Sequence, residues 1–146
     1  MLLYRIVREK YAFDLVASGF RSRWNEDGQH VIYTSDSRAL ACLENLVHRS
    51  HSGQNDLFRL MVISVPDDLP IFNVVERQLP RGWKGEFCKE CLQIGSDWYI
   101  RNEIPILKVP STIIPHEWNY VLNTKHPDFR KISLERTEEF VFDERL

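Results

Sequence analysis

Residues 30–50 read His-Val-Ile-Tyr-Thr-Ser-Asp-Ser-Arg-Ala-Leu-Ala-Cys-Leu-Glu-Asn-Leu-Val-His-Arg-Ser, and their periodicity changes from that of a strand to that of a helix. The first five residues are rich in β-formers, which predicts a strand at His30–Thr34. The Ser-Asp-Ser that follows supplies N-cap candidates, and Leu40, Leu43 and Val47 then recur at helical spacing. This stretch therefore predicts a strand that leads into a helix, which runs to about the end of the quoted segment.

The rest of the chain has shorter strand and helix signals. Runs of β-branched and aromatic residues predict strands, and one further stretch has the apolar spacing of a helix, although Gly95 lowers its helical propensity. The predicted elements are strands at 2–7, 57–65, 71–75 and 106–109, a helix at about 87–101, and strand-like pieces at 132–134 and 140–142. The strands do not alternate with helices as βαβ units. We therefore expect a single compact α+β domain over residues 1–146, built on a mixed, largely antiparallel sheet.

The composition is that of an ordinary globular domain. Hydrophobic residues make up 43% of the 146 residues and charged residues 27%, far from the composition of disordered chains. No apolar run approaches the roughly 20 residues that cross a bilayer, and charges interrupt the N-terminus where a signal peptide would be apolar. The three cysteines, Cys42, Cys88 and Cys91, are few and odd in number, which is typical of free thiols in a reducing compartment. We expect a cytoplasmic protein without membrane association.

The charge balance bears on the class of ligand. A net charge of -2 argues against a dedicated nucleic-acid binder, because affinity for phosphate backbones comes mainly from clustered Lys and Arg. The basic residues are nevertheless thirteen Arg and only six Lys. Since the arginine fork grips phosphate or carboxylate with two hydrogen bonds, this bias is consistent with a phosphorylated small ligand. Ordinary surface pairing with the 21 acidic residues is the commoner explanation for most of these arginines.

Glu44 is the most informative single position. At 100° per residue it lies between Leu40, Leu43 and Val47, so a carboxylate is predicted within the apolar stripe of its helix. Burying an unpaired carboxylate is costly, and such a residue normally has a partner or a chemical role. A structural pair with an Arg and a functional role are equally open at this point.

A second candidate site is the loop Arg23-Trp24-Asn25. A cation, an aromatic ring and an amide lie together in a segment flanked by glycines, and loops of this composition often bind ligands. The alternative, commoner by composition, is a surface turn in which Trp24 covers the edge of the core. Tyr33, near the end of the following strand, is by itself interpreted as a half-buried strand aromatic.

Two further patterns resemble metal sites but are incomplete. Cys88 and Cys91 have the spacing of a zinc knuckle or a redox pair, but no second pair of Cys or His lies at a suitable distance in the sequence. His48 and His51 could share a metal with Glu44, yet His near a helix C-terminus is favourable by itself. We therefore expect no metal, and we interpret the two cysteines as bystander thiols.

Several motifs, taken in order, carry a resemblance to a known family. The matching segments are Leu3-Tyr4-Arg5-Ile6, Arg23-Trp24-Asn25 with Gly28, Val31-Ile32-Tyr33-Thr34-Ser35, Ala39-Leu40-Ala41 with Leu43-Glu44 and Leu46-Val47-His48, Gly95 with Trp98, Val109-Pro110-Ser111, Asn119-Tyr120 with Leu122-Asn123, and His126-Pro127-Asp128-Phe129. With these motifs the chain resembles the RES domain, the toxin half of RES–Xre toxin–antitoxin pairs, nearly from end to end. It departs from the family pattern at Arg21-Ser22, where a pair of small residues is usual.

The resemblance implies a fold akin to ADP-ribosyltransferases and an activity on NAD that releases nicotinamide, depletes the cellular pool and arrests growth. No permanently bound cofactor is implied, because NAD is the substrate. Transfer of the ADP-ribosyl unit to phosphate, hydrolysis and modification of a protein all stay open. The implied partners are NAD, inorganic phosphate and a cognate Xre-type helix-turn-helix antitoxin whose segment would enter or cover the cleft. The resemblance leaves a homodimer open.

The resemblance also assigns roles to residues. Departure of nicotinamide leaves an oxocarbenium-like ribose, whose positive charge the carboxylate of Glu44 would stabilise. Arg23 would grip the pyrophosphate or an attacking phosphate, with Arg5 as a second anion contact. Three further residues would complete the pocket: Tyr33 against nicotinamide or the ribose, Ser111 positioning the ribose or the nicotinamide amide without acting as a nucleophile, and Asn119 beside them.

Two other classes of function compete with this interpretation. An RNA-cleaving toxin could use Arg, His and Glu for acid–base chemistry, but the acidic balance of the chain argues against it. A non-catalytic protein-binding module is the other alternative. For such a module the complete set of Arg23, Tyr33, Glu44 and Ser111 would have no explanation.

Overall fold

The computed structural model describes residues 1–49 and 56–146, and in them it places seven strands and two α-helices. The strands are β1 (Leu2–Arg8), β2 (Val31–Ser35), β3 (Phe58–Ser64), β4 (Ile71–Asn73), β5 (Ile106–Pro110), β6 (Trp118–Asn123) and β7 (Ser133–Phe140), and the helices are α1 (Arg38–Arg49) and α2 (Lys89–Arg101). Neither described helix has the length and hydropathy that a membrane span requires.

The seven strands form one sheet in the order β4-β5-β6-β2-β1-β3-β7. The pairing of β4 with β5 is parallel, and the other pairings between these strands are antiparallel. The predicted α+β class with a mixed, largely antiparallel sheet is therefore confirmed.

The apolar run of β3 shows that both faces of the sheet are covered. Met61 and Ile63 pack in one buried cluster, whereas Leu60 and Val62 pack in another together with Ala41 of α1. Because successive strand residues point to opposite faces, these two clusters lie on opposite sides of the sheet. A strand that is buried on both faces has apolar residues at successive positions. The run of apolar residues in β3 is therefore a strong strand signal in the sequence.

Helix α1 begins directly after a predicted N-cap residue and packs against β1. The hydroxyl of Ser37 accepts a hydrogen bond of 3.1 Å from the backbone N–H of Leu40, which satisfies a donor of the first turn. The apolar stripe predicted around Glu44 is wrong in part, because Leu40 is buried but Val47 is 59% exposed. This side of the helix faces a cleft and not the core. The predicted end at Ser50 lies outside the described residues.

Helix α2 confirms the helix predicted at 87–101, with a start two residues later. Gly95 lowers its propensity but allows a close approach, because a Cβ at this position would overlap the carbonyl oxygen of Trp24. Trp24 is 3% exposed and packs in a buried cluster with Trp98. The loop around Trp24 is therefore a turn packed directly on α2, with Trp24 buried and Arg23 partly exposed.

The prediction that all three cysteines are free is wrong for two of them. Cys88 and Cys91 form a disulfide with Cα atoms 5.3 Å apart, whereas Cys42 is free. Cys88 has an extended backbone at the N-cap of α2 and Cys91 lies in the first turn, so the start of the helix brings the two side chains together.

The C-terminal half differs from the sequence prediction in two strands. The two pieces predicted at 132–134 and 140–142 overlap the two ends of one strand, β7, which ends at Phe140 and whose charged residues at an edge of the sheet hide the strand signal. Strand β6 was not predicted, although it contains a family motif. β6 pairs with both β2 and β5. These two strands provide partners for its backbone N–H and C=O groups, so the strand forms irrespective of its local strand propensity.

Candidate active site

A cleft opens where two neighbouring strands of the sheet separate. β1 pairs with β3 at seven successive positions, but with β2 it pairs at a single position, Tyr4 opposite Ser35. The strands therefore diverge beyond Tyr4, and a cavity of about 610 Å³ lies between them and α1. A cavity of this size is in the usual range for small-molecule and cofactor sites.

Glu44 of α1 faces this cavity, and its two carboxylate oxygens have different partners. Oε1 accepts a hydrogen bond of 2.7 Å from Nδ2 of Asn119 and a longer one of 3.4 Å from the hydroxyl of Ser111. Oε2 lies 3.5 Å from Nε2 of His48, one turn further along the helix. Oε1 is thus fixed by two hydrogen bonds, whereas Oε2 has His48 as its one partner among the described residues.

These contacts keep Glu44 ionised. Burial by itself would raise the pKa of the carboxyl, but the hydrogen bonds from His48 and Asn119, with a further contribution from Ser111, outweigh it and lower the pKa. The side chain is 20% exposed, and that surface is on the cavity. Among the described residues this carboxylate forms no hydrogen bond or ion pair with an Arg, contrary to the structural alternative, and its partners are an amide, a hydroxyl and an imidazole.

A second layer of polar groups orients the partners of Glu44. The hydroxyl of Ser35 donates 2.7 Å to Oδ1 of Asn119, which turns the NH₂ group of that amide towards the carboxylate. Ser111 accepts the backbone N–H groups of Ile113 and Ile114, so its own proton is left for Glu44. Ser111 does not line the cavity, and it contacts the carboxylate from behind.

Arg23 also lines the cavity, and its side chain is bonded to a neighbouring loop. Its guanidinium donates 2.6 Å to the carbonyl of Trp83 and 2.7 Å to that of Gly85. Burial lowers its pKa, and the negative charge of Glu44 offsets part of that effect. Arg23 remains a cation at neutral pH with only part of its donors used by the loop.

Tyr33 lines the cavity, but its hydroxyl is already occupied. It donates 2.6 Å to Oδ1 of Asn25 and accepts the backbone N–H of Trp24 at 3.1 Å. Burial raises the pKa of Tyr33 to about 12, so the phenol is neutral. The hydroxyl orients the Arg23-Trp24-Asn25 loop, and it is the ring that is available to a ligand.

The cavity wall is rich in arginine. Among the described lining residues are four arginines, Arg5, Arg8, Arg23 and Arg49, and one carboxylate, Glu44. Burial lowers the pKa of Arg5, and within the described part of the chain its guanidinium forms no hydrogen bond or ion pair. A desolvated, unpaired cation in a cavity is a strong attractor for an anion.

The structure thus brings the six predicted site residues together in two groups. Glu44, Ser111 and Asn119 form one network, and Arg5, Arg23 and Tyr33 line the cavity that this network faces. His51, considered as a metal ligand, lies outside the described residues. Within them no three His, Cys, Asp or Glu side chains come together as a metal site.

Sequence reasoning missed two contributors to the site. Ser35, a helix-cap candidate and the last residue of one matching motif, has no predicted role in the site, but it orients Asn119, which lies directly opposite it across the β2–β6 pairing. His48, a possible metal ligand by sequence and the last residue of another matching motif, contacts Glu44 through the i, i+4 spacing of α1. The loop of Trp83 and Gly85, which Arg23 holds, had no sequence signal.

Comparisons with known proteins agree with this architecture. The RES domain model matches residues 2–143. A protein of a Sphingobium species named "Prs ADP-ribosylating toxin" is 36% identical over 141 residues, which cover 92% of this chain and 88% of the relative. A protein of Yersinia enterocolitica named "Toxin Res" is 34% identical over 152 residues, covering 100% of this chain and 99% of the relative.

A solved structure shares the fold. A chain from the crystal structure of the M. tuberculosis MbcT–MbcA toxin–antitoxin complex superimposes with a TM-score of 0.74 at 18% identity, covering 96% of this chain and 84% of that one. The fold is therefore shared with a chain of that complex, and the relatives matched over most of the sequence carry toxin names. The chain belongs to the RES domain family.

Proposed function

We propose that this chain is the cytoplasmic toxin of a toxin–antitoxin pair and that it cleaves the nicotinamide–ribose bond of NAD, which depletes the cellular pool and arrests growth. One observation carries the proposal. A single ionised carboxylate, Glu44, is held by Asn119 and Ser111 on a cavity whose other charged side chains, among the described lining residues, are basic.

The charges of this cavity match those of NAD. The dinucleotide has a pyrophosphate with two negative charges and a nicotinamide ring with one positive charge. Arg5 and Arg23 would bind the pyrophosphate through charge-assisted hydrogen bonds. The ring of Tyr33 would lie against nicotinamide or the ribose, and the positive end of the substrate would point to Glu44.

The bond cleavage follows from the same arrangement. As the C1′–N1 bond breaks, its electron pair leaves with nicotinamide and positive charge develops on the ribose. Glu44 is already ionised and oriented, so it stabilises that charge without reorganisation. Ser111 acts as an orienting group, because its hydroxyl donates to Oε1 of Glu44, and among the described residues no histidine is bonded to that hydroxyl to activate it as a nucleophile.

The experiment is to follow NAD by NMR or mass spectrometry with the purified protein, with and without phosphate. We expect nicotinamide release, and the second product identifies phosphorolysis, hydrolysis or protein modification. Glu44→Gln is the matched control, since it keeps the volume and an acceptor for Asn119. We expect its turnover to fall about a hundred- to thousand-fold with a nearly unchanged melting temperature. Intact NAD during growth arrest, with RNA cut instead, would support the nuclease alternative.

The partner proposal rests on the relatives. The structural neighbour comes from a toxin–antitoxin complex, and the curated relatives carry toxin names. We expect a small helix-turn-helix antitoxin to copurify with the chain and to block nicotinamide release. Failure of any co-expressed neighbour to relieve toxicity would contradict this part of the proposal.

A further inference from the structure

The proposed reaction leaves one proton without an acceptor. When water or a protein hydroxyl attacks the ribosyl cation, the new C1′–O bond forms only if the O–H proton leaves. Glu44 is a poor base for this step, because its hydrogen bonds favour the ionised form. A second group must therefore take the proton.

The described lining residues offer one such group. The other titratable side chains there are arginines, whose guanidinium groups do not accept protons, and the tyrosines Tyr4, Tyr11 and Tyr33, and the phenol group is a weak base. Histidine is the side chain that accepts a proton near neutral pH. His48 is the histidine among these residues.

His48 is placed between Glu44 and solvent. Its Nε2 lies 3.5 Å from Oε2 of Glu44, the oxygen that Asn119 and Ser111 leave free, and the side chain is 70% exposed. No described group bonds to its other nitrogen, Nδ1. A carboxylate on one nitrogen with the second nitrogen open is the arrangement by which an acid orients a histidine base and stabilises its charged form.

We propose that His48 removes the proton from a neutral acceptor, water or a hydroxyl group, in the second half of the reaction. The proposal rests on the proposed function. The C1′–N1 bond breaks and its electrons leave with neutral nicotinamide; the acceptor oxygen bonds to C1′, and its proton passes to Nδ1 of His48, which becomes an imidazolium. Positive charge thus moves from the ribose to the imidazolium, and Glu44 faces both.

The proposal separates two classes of acceptor. A nucleophile that is already an anion, such as azide or the phosphate dianion, attacks through an atom that carries no proton and has no need of His48. A neutral nucleophile, in contrast, needs His48 to remove its proton. His48 would therefore determine which acceptors the enzyme can use.

The test measures NAD products by mass spectrometry in phosphate-free buffer, with water and azide as competing acceptors. His48→Gln keeps an N–H donor near Glu44 but cannot take the proton. We expect its ratio of hydrolysis product to azide adduct to fall by roughly 100-fold, the typical size of general-base effects, because azide has no proton to lose. His48→Ala should regain hydrolysis with added imidazole, because the site is exposed. The control is His116→Asn, an exposed histidine outside the cavity whose positive φ of 66° Asn tolerates.

Each outcome decides a separate question. Wild-type protein that releases no nicotinamide with any acceptor would contradict the proposed function itself. Wild-type cleavage with an unchanged product ratio in His48→Gln would overturn the role of His48 alone. Equal loss of both products, with the fold intact, would mean that His48 only positions Glu44. A wild-type enzyme that transfers the ADP-ribosyl group only to anionic acceptors would also overturn the role of His48 as a base.

Discussion

Nδ2 of Asn119 donates a 2.7 Å hydrogen bond to Oε1 of Glu44 and so joins β6 to α1 across 75 residues of sequence. The same amide accepts the hydroxyl of Ser35 on its oxygen, so its orientation is determined from both sides. A carboxylate that receives an oriented N–H donor stays ionised in a partly buried place. The proposed chemistry of Glu44 therefore depends on a residue in a distant strand.

Replacing that amide with an acid should damage the site without changing its shape. In Asn119→Asp two carboxylates lie within hydrogen-bond distance, and their repulsion raises the pKa of one of them. We expect NAD turnover to fall at least about tenfold, because losing one oriented electrostatic group costs this much or more. Steady-state kinetics at neutral pH measure it. Ser35→Ala, which removes only the outer hydrogen bond, is the control and should lose less. Wild-type turnover in Asn119→Asp would show that the amide does not matter.

The lowered pKa of Glu44 predicts a pH-dependent stability. A carboxyl whose pKa is lower in the folded state than its ordinary value of 4.5 stabilises the fold above that value. The contribution is lost as the pH falls through the folded pKa. Lowering the pH from 7 to below 4 should therefore lower the melting temperature of the wild type more than that of Glu44→Gln. A difference that stays constant over this range would contradict the lowered pKa.

Arg23 should control the order of the loop that it holds. A lysine has one compact ammonium group and cannot reach the carbonyls of Trp83 and Gly85 together. Hydrogen bonds to charged groups contribute about 1.5–3 kcal/mol, so losing one in Arg23→Lys should raise local amide exchange roughly tenfold or more. Hydrogen exchange by mass spectrometry over residues 80–87 measures this effect. Arg101→Lys, at the exposed end of α2, is the control, and equal exchange in both variants would refute the contact.

Gly95→Ala should destabilise the protein although alanine is the better helix former. Helix propensity alone favours the change by about 1 kcal/mol. The added methyl group would overlap the carbonyl oxygen of Trp24, and overpacking of this kind costs about 1–3 kcal/mol. We expect a lower midpoint of chemical denaturation and weaker activity, because the Trp24 loop also positions Arg23. The exposed Ile100→Ala serves as the control on the same helix. A higher midpoint for Gly95→Ala would disprove the close packing.

The sequence by itself determined the parts that depend on local signals. The β2–α1 unit follows from β-formers, a cap at Ser37 and helical spacing, all within one short stretch. The ordered motifs indicated the family and named Glu44, Arg23 and Asn119 before any contact was known. These predictions succeed because neighbouring residues decide strand and helix preference, and because the family motifs lie in the chain in a set order.

Only the tertiary structure decided what surrounds Glu44. Its partners Asn119 and Ser111 lie 75 and 67 residues away, and the register of β6 against β2 puts Ser35 opposite Asn119. The cavity exists because β1 pairs with β2 at one position and with β3 at seven. Strand registers and divergence come from hydrogen bonds between distant segments, and no local pattern contains them. The same reason explains why helical spacing predicted Glu44 in an apolar stripe, whereas the fold exposes Val47 and opens that side of α1 to the cleft.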